Sequence, residues 1–408
     1  MPLASHEQKL ADLIARRRDR LLEDLRLHVE TPTGGGNTAA LDLTRGLFTT
    51  RLGALGATIE LIPGDPKPDW LHGAPAAGAI PPTAVCRRPA RKPAATPILL
   101  SGHLDTVHEA ASPFRELTIA PDGKTATGPG CVDMKGGLVI LIAALEALHE
   151  AGLDAEWTVI LNSDEETGSY HSDAALTREA TRAAQAGGVG LVVEPALPGG
   201  SLATERLGSG QFLIEARGRA AHVGRDFDKG ISAVTALAER IVAVGRLPDP
   251  ARGLIASIGP VEGGHATNVV PDHARAWGNV RYPSKQIADE LQRRLEALAT
   301  DPGQGPPMVE VKTSFNRPAK PATPATLRLA EAARAAAEAL GQSLPFASTG
   351  GVCDGNILQH AGLPTIDTLG VRGGGLHTPQ EWIELPSLVE RCQLLAVLIA
   401  RLATDRLN

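Results

Sequence analysis

Several short apolar segments of this chain end directly in histidine or acidic residues. Continuous apolar runs separated by helical patterns are typical of a parallel sheet that is buried on both faces. The carboxyl ends of such strands meet along one edge of the sheet, where binding sites collect. The sequence therefore predicts an α/β fold with a mixed, mostly parallel sheet flanked by helices. A polar cluster is expected near that edge, drawn from His103, Asp105, Asp133, Glu165, Glu166, Glu194 and His377.

The first part of the chain is predicted to alternate helices and strands. An apolar face that repeats every three to four residues predicts the helix over 134–149. A stretch rich in proline and alanine over 63–97 indicates a surface loop with one short strand. The other predicted elements are helices over 7–30 and 38–55 and strands at 57–62, 84–88, 97–101, 157–161 and 189–193.

The pattern changes near residue 208, where the predicted order becomes β-α-β-β-α-β, as in a ferredoxin-like unit. We predict an α/β domain formed by residues 1–207 and 318–408, interrupted by an inserted domain over 208–317. The elements behind this division are strands 212–217, 253–259, 274–282, 308–314 and 365–369, and helices 229–244, 285–300, 326–340 and 386–403.

Composition excludes several classes of protein. The net charge of −6 argues against nucleic acid as a partner, because such proteins usually carry a basic surface. The four cysteines form no CxxC pair, so we expect no disulfide framework and a reducing compartment. The charged N-terminus lacks the apolar core of a signal peptide, and no apolar window is long enough for a membrane span. We therefore predict a cytoplasmic protein without a membrane partner.

The polar cluster has the composition of a metal site. Imidazoles and carboxylates are the ligands that zinc and similar divalent ions take in proteins. A carboxylate shared by two metals, with further ligands on each, forms a site that can activate water. Single histidines or acids carry little weight, but five such clusters at strand ends predict a two-metal hydrolytic centre.

The motifs of these clusters resemble those of the M20 family of di-zinc metallopeptidases, most closely its glutamate-carboxypeptidase-like branch. The family also contains acetylornithine deacetylases, succinyl-diaminopimelate desuccinylases and aminoacylases. The resemblance covers nearly the whole chain, including the insertion, and implies a zinc-peptidase-like domain with a lid and dimerisation domain. The motifs are Gly102–Val107, Gly128–Gly130 leading to Asp133–Gly137, Asp164–Glu166 and Glu194–Pro195.

The resemblance assigns a role to each residue of the cluster. Asp133 would bridge two Zn²⁺ ions, with Co²⁺ or Mn²⁺ as substitutes, and a cis peptide would follow it at Asp133–Met134. Glu165 would act as the general base. Asp105 would orient the imidazole of His103, since a ligating histidine usually donates its other N–H to a carboxylate. The remaining ligands would be His103 and Glu194 on one metal, and Glu166 and His377 on the other.

Further motifs resemble the substrate contacts of the family. His222, in Ala-His-Val-Gly, would reach the active site of a partner subunit and stabilise the oxyanion there. Arg317 would bind a substrate α-carboxylate, because a planar guanidinium matches a carboxylate with two parallel hydrogen bonds. The other implied contacts are Asn268, Arg281, Gly350 and Gly351. Val352 and Cys353 depart from the residues that the branch often has, which affects side-chain specificity and not the metal site.

We therefore expect a di-zinc amidohydrolase that acts on a small peptide or an N-acyl amino acid. The first interpretation is a carboxypeptidase that releases a C-terminal, Glu-like residue, since Arg317 would recognise a free α-carboxylate. The alternative within the family is a deacylase or desuccinylase of N-acyl amino acids. Two alternatives outside it are an inactive binding protein on the same fold and a two-metal phosphoesterase. The inserted domain predicts a homodimer through residues 208–317.

Overall fold

The strands that carry the polar clusters lie side by side in a computed structural model, which describes residues 2–34, 36–73, 79–91, 95–301 and 303–405. Up to residue 206 the elements are α1 Ser5–Ala15, α2 Arg18–Val29, α3 Thr38–Ala54, β1 Thr58–Ile62, β2 Thr83–Arg88, β3 Ile98–His103, β4 Thr118–Ile119, β5 Thr125–Thr127, α4 Gly136–Glu150, β6 Trp157–Asn162, α5 Asp173–Gln185, β7 Val189–Val192 and β8 Leu202–Arg206.

A second group of elements spans residues 208 to 317, and the chain then returns to the first group. The second group is β9 Gly208–Arg217, β10 Ala221–His222, α6 Ala233–Val244, β11 Ile255–Gly263, β12 Val269–Val270, β13 His273–Tyr282, α7 Lys285–Glu296 and β14 Met308–Arg317. The returning segment forms α8 Pro324–Ala339, β15 Phe346–Thr349, α9 Asp354–His360, β16 Thr365–Ile366, β17 Gly373–Gly374, β18 Trp382–Glu384 and α10 Pro386–Thr404.

The main sheet has six strands in the order β1-β2-β6-β3-β7-β16. The pairs β6–β3, β3–β7 and β7–β16 are parallel, whereas β1–β2 and β2–β6 are antiparallel. The predicted mixed, mostly parallel α/β sheet is therefore confirmed. Successive residues of β3 face opposite sides, so Leu100 packs in the core with α4 and α10 while Leu99 packs in the core with α5 and α9.

The second sheet is antiparallel and has the strand order β11-β13-β9-β14. Helices α6 and α7 pack against it around a core that includes Phe212, Leu237 and Leu291. Ser232 and Ser284 cap the two helices by accepting hydrogen bonds from backbone N–H groups in the first turn. The sequence of elements follows the predicted β-α-β-β-α-β order, while the division into domains remains a prediction.

Several predicted elements are wrong in extent: α6 begins at Ala233 and not at 229, α7 ends at Glu296 and not at 300, β9 begins at Gly208 and not at 212, and β11 spans Ile255–Gly263 and not 253–259. Two further differences have a clear structural reason. The helix predicted over 7–30 is two helices, because the chain turns at Arg16 and Arg17 so that α1 and α2 both pack on α4 and α10. Strand β16 stops at Ile366, short of the predicted 365–369. Asp367 leaves the strand to contact Arg206 and Lys320, and the next residue, Thr368, has a φ of 62°.

The four cysteines are free and buried, in agreement with the expected absence of a disulfide framework. Within the described residues, none of the helices combines the length and apolar character that a membrane span requires.

Strand register brings the predicted polar cluster to one edge of the main sheet. His103, the last residue of β3, pairs with Asn162, the last residue of β6, and Ser101 pairs with Val192 at the end of β7. The segments that follow these strands therefore start next to one another. They carry Asp105, Glu165, Glu166 and Glu194.

Candidate metal centre

His103 is buried at the carboxyl end of β3 and is held from both sides of its ring. Its Nδ1 lies 2.9 Å from the backbone oxygen of Asp105 and 3.5 Å from the Asp105 carboxylate. Its Nε2 lies 3.3 Å from Oδ1 of Asp133 and 3.9 Å from Oε1 of Glu194. These contacts hold Nε2 among carboxylate oxygens, as expected for a metal ligand.

Asp133 lies between two histidines and presents a different oxygen to each. Oδ1 faces His103, whereas Oδ2 lies 3.5 Å from Nε2 of His377, which is itself 3.3 Å from Oε2 of Glu166. The peptide bond between Asp133 and Met134 is cis, as the family resemblance predicted. One carboxylate thus joins a group containing His103 and Glu194 to a group containing His377 and Glu166.

The carboxylate of Asp105 fixes the two adjacent glutamates through their backbone. Oδ1 accepts a hydrogen bond of 3.2 Å from the N–H of Glu165, and Oδ2 accepts one of 3.0 Å from the N–H of Glu166. The backbone oxygen of Asp105 contacts His103 at the same time. Asp105 therefore holds the backbone of both glutamates in addition to contacting His103, the one contact that the sequence predicted.

The carboxylates control the protonation of the two histidines. Burial alone would lower the pKa of His103, but its contacts with Asp105 and Asp133 raise that pKa well above its usual value. Contacts with Asp133 and Glu166 raise the pKa of His377 to about 10. Both imidazoles therefore lie where positive charge is strongly favoured.

The acidic residues of the cluster respond to burial and to their neighbours. Burial would raise the pKa of Asp133, but hydrogen bonds with His103 and His377 hold it below its usual range. Burial raises the pKa of Glu194 well above its usual value, and the nearby Asp133 adds to this effect. Cations bound at these oxygens would replace protons, since metal ligands must be deprotonated.

Glu165 lies beside the cluster without belonging to either group. Its Oε1 forms an ion pair of 2.8 Å with Nη2 of Arg317. Burial raises the pKa of Glu165 to about 8, although the Arg317 cation opposes the shift. Arg317 is 3% exposed and also forms an ion pair of 2.8 Å with Asp354.

Glu381 is a buried residue of this site that sequence analysis missed. Its Oε1 accepts hydrogen bonds from the N–H groups of Val132 and Asp133, and its Oε2 accepts one from Gly130. Oε2 also lies 2.7 Å from Nε2 of His108. Glu381 thereby fixes the turn that presents the shared carboxylate. The only signal in the sequence was an acid four residues after His377.

The residues predicted to contact substrate are spread around the cluster. His222 and Asn268 are exposed on neighbouring segments of the second group, where the N–H of Val223 donates to the Asn268 oxygen at 3.0 Å. Among the described residues, the side chain of His222 has one hydrogen bond, which its Nδ1 accepts from the N–H of Gly224. The structure thus places His222 outside the metal cluster of its own chain.

Two of the other predicted substrate contacts follow β15, and the third lies on β13. Gly350 and Gly351 follow β15 and are exposed, and the oxygen of Gly351 accepts a hydrogen bond of 3.1 Å from the buried Arg206. Arg281 ends near Ser209 and donates to its hydroxyl. The guanidinium of Arg317, by contrast, is already paired with Glu165 and Asp354.

The donor atoms suit divalent metal ions. One donor atom from each of His103, Asp133 and Glu166 lies within 4.8 Å of the others. Imidazole nitrogens and carboxylate oxygens around one shared carboxylate are the ligands of two-metal hydrolases. This set of three takes one member from each group around Asp133, so the chemistry of the donor set fits divalent cations held at that carboxylate.

The chain is similar to proteins of one peptidase family. The model of peptidase family M20/M25/M40 matches residues 99–401. Carboxypeptidase G2 from a Pseudomonas species is 28% identical over 318 residues, which cover 76% of this chain and 74% of that protein. A succinyl-diaminopimelate desuccinylase from Methylobacterium radiotolerans is 29% identical over 313 residues, covering 71% of this chain and 77% of that protein.

Solved structures share the fold. Aminopeptidase PepT from Bacillus cereus superposes with a TM-score of 0.72 at 23% identity, covering 95% of this chain and 99% of that one. A dinuclear metal-binding M20 peptidase from Bacillus subtilis has a TM-score of 0.64 at 19% identity, covering 95% of this chain and 99% of that one. The family match covers most of the chain, and the relatives found with it are named as hydrolases. The chain therefore belongs to peptidase family M20/M25/M40, as the sequence resemblance predicted, and is a hydrolase of amide bonds.

Proposed function

We propose that this chain is a di-zinc carboxypeptidase that releases a C-terminal amino acid from a small peptide or an N-acyl conjugate. The main support is Asp133, which presents one oxygen to His103 and the other to His377. Glu194 and Glu166 complete the two groups as terminal donors. Zinc is the proposed metal because it takes imidazole and carboxylate ligands and leaves positions open for substrate.

Metal ions held by His103, Asp133, Glu166, Glu194 and His377 would supply Lewis-acid polarisation of the scissile carbonyl and would make the attacking water more acidic. Glu165 is the proposed general base, since its carboxylate lies beside the cluster, belongs to neither group of metal donors and pairs with Arg317. It takes a proton from the attacking water and delivers that proton to the leaving nitrogen. The products are a carboxylate and a free amine.

Substrate recognition is proposed at the junction of the two sheets. A carboxypeptidase needs a cation for the α-carboxylate of its substrate, and this junction carries two arginines, Arg281 and Arg317. The exposed loop at Gly350 and Gly351 is proposed to lie along the substrate backbone, with Asn268 as a further contact. Similarity to a protein named carboxypeptidase supports this activity.

The second candidate is a deacylase or desuccinylase of N-acyl amino acids. The similarity to a succinyl-diaminopimelate desuccinylase supports it. Both reactions would use the same metal ligands and the same general base. They differ in the group that the protein recognises. A carboxypeptidase recognises the amino acid on the nitrogen side of the amide bond, whereas a deacylase recognises the acyl group on the carbonyl side.

We also propose a homodimer through residues 208–317 in which His222 serves the partner's active site. His222 is exposed, and it lies outside the metal cluster of its own chain. Both edge strands of the second sheet carry exposed apolar residues, Ile255 and Val261 on β11 and Met308 on β14. Unpaired edges of this kind can join a second copy about a two-fold axis. The predicted cytoplasmic location remains part of this proposal.

One substrate screen tests the proposed activity. Zinc-reconstituted protein is incubated with dipeptides, N-acetyl and N-succinyl amino acids, and p-nitrophenyl phosphate, and the release of free amine or nitrophenol is measured. Release of the C-terminal residue from peptides supports the carboxypeptidase, whereas cleavage restricted to small acyl groups supports the deacylase. A Glu165→Gln variant that retains metal serves as the matched control. Metal-loaded wild-type protein that is no more active than this control on any amide would contradict the proposal.

A further inference from the structure

Both terminal nitrogen atoms of the Arg317 guanidinium donate hydrogen bonds to protein groups. Nη2 donates to Oε1 of Glu165 at 2.8 Å and to Ser169 at 2.7 Å, and Nη1 donates to Asp354 at 2.8 Å. Nη2 also lies 3.2 Å from the backbone oxygen of Glu165. Nε is buried and has no partner among the described residues, so it offers no surface to a ligand.

The residues that hold Arg317 are themselves buried and connected to the main sheet. Oδ1 of Asp354 accepts a hydrogen bond of 2.6 Å from the hydroxyl of Ser169. Oδ2 of Asp354 accepts one of 2.7 Å from Asn162, the last residue of β6. Asp354 is 1% exposed. If Arg317 moved toward a ligand, Asp354 would remain as a buried, unpaired charge, which is strongly unfavourable.

We propose that Arg317 is a positioning residue for the general base and is not the anchor of the substrate α-carboxylate. Asp354 and Ser169 fix the guanidinium, and the guanidinium fixes the carboxylate of Glu165 beside the metal cluster. Without this cation, the surrounding carboxylates would repel Glu165 from its position. This inference rests on the proposed function, because it takes Glu165 to be the base.

Arg281 provides the matched comparison. Ser209 pairs with Arg281 of β13 on one side and with Arg317 of β14 on the other. At the usual strand spacing, the Cα atoms of the two arginines lie roughly 10 Å apart. Arg281 is half-buried and donates to Ser209 and to the oxygen of Val280. No carboxylate lies within 4 Å of it among the described residues. A substrate carboxylate can therefore pair with Arg281 without breaking an existing ion pair.

Kinetics on N-acetylglutamate and on its α-carboxamide separate the two roles. Zinc-loaded Arg317→Met should lose about 10²-fold in kcat on both substrates, with KM changed by less than about threefold, since a positioning role does not depend on the substrate carboxylate. Arg281→Ala should instead raise KM about tenfold or more for the acid and much less for the carboxamide, with kcat reduced far less than in Arg317→Met. The opposite result, in which Arg317→Met raises KM for the acid alone, would overturn the proposal.

Two further variants keep the test decisive if Arg317→Met does not fold. Arg317→Lys should recover part of kcat, because an ammonium can still pair with Glu165 although it cannot span two carboxylates. Asp354→Asn should lower kcat, because it weakens the hold on Arg317. It should not raise KM, because Asp354 is too deeply buried to contact substrate. An increase in KM for the acid alone in both variants would contradict the positioning role.

A crystal structure of a zinc-loaded Arg317 variant gives a readout that does not require turnover. In Arg317→Met, the carboxylate of Glu165 should leave its wild-type position while the metal ions remain bound. An unchanged Glu165 in both Arg317→Met and Arg317→Lys would overturn the inference. If wild-type protein cleaves no amide, the proposed function fails, while the position of Glu165 still decides whether Arg317 holds it.

Discussion

Replacing Glu381 by glutamine should loosen the turn that carries Asp133. The glutamine oxygen can keep the two N–H groups of Val132 and Asp133, and the glutamine NH₂ can donate to His108. The N–H of Gly130 then loses its acceptor and faces another donor. No orientation of the amide serves all three N–H groups.

The magnitude follows from these bonds. A buried N–H without an acceptor costs about 1–3 kcal/mol, and each bond that loses its charged acceptor weakens by about 1 kcal/mol. With one bond lost and two weakened, Glu381→Gln should lower the free energy of unfolding of the metal-free protein by about 3–5 kcal/mol. Affinity for the metal should fall about 10- to 100-fold, the usual effect of removing a group that orients a ligand.

Chemical denaturation measures the first quantity, and competition with a chelator measures the second. The control is Glu384→Gln, the same change three residues later. Glu384 is partly exposed and pairs with Arg372 at 2.7 Å, so its loss should cost no more than about 1 kcal/mol. If Glu381→Gln behaved like Glu384→Gln in both measurements, the role assigned to Glu381 would be wrong.

Three other experiments test separate parts of the structure. Glu165→Ala should keep both metals and lose about 10²–10⁴-fold in activity, whereas Glu166→Ala should lose a metal; the reverse pattern in metal analysis would mean that their roles are exchanged. Burial lowers the pKa of His28, which stacks on Phe48, to about 4. The unfolded state therefore binds a proton that the folded state does not between the folded pKa of about 4 and the unfolded value of 6.5. The stability of wild type relative to His28→Leu should fall by about 2 kcal/mol from pH 7 to pH 5, and a pH-independent difference in denaturation experiments would refute this. His222→Ala mixed with Glu165→Ala should recover up to about a quarter of wild-type activity from mixed dimers, and no recovery despite subunit exchange would exclude a shared site.

The helices and strands that position the site could be predicted from the sequence, because the hydrophobic pattern of each lies within one short segment. The continuous apolar strands ending at His103 and before Glu194 predicted a buried parallel sheet, and the polar residues after them mark its edge. The helix after Asp133 has an apolar surface that repeats with helical period. Each of these features can be read within a window of about ten residues.

The supporting contacts could not be predicted in this way because their members are distant in the sequence. Glu381 reaches the backbone of Gly130 across 251 positions, and Arg206 reaches Asp367 across 161. The assignment of Arg317 from its motif gave no indication of its pairing with Glu165, since that contact depends on how β14 meets the loop after β6. Such long-range polar contacts are set by tertiary packing and leave no periodic signal.

One carboxylate, Asp133, is proposed to serve two metal ions. Elemental analysis of zinc-reconstituted protein, after removal of loosely bound metal, tests it directly, with Asp133→Ala prepared in parallel. We expect about two zinc ions per chain in wild type, and the loss of both tight sites in the variant, because each group of ligands depends on the shared carboxylate. One tight ion at most in wild type, or two retained in Asp133→Ala, would rule out the shared role of Asp133.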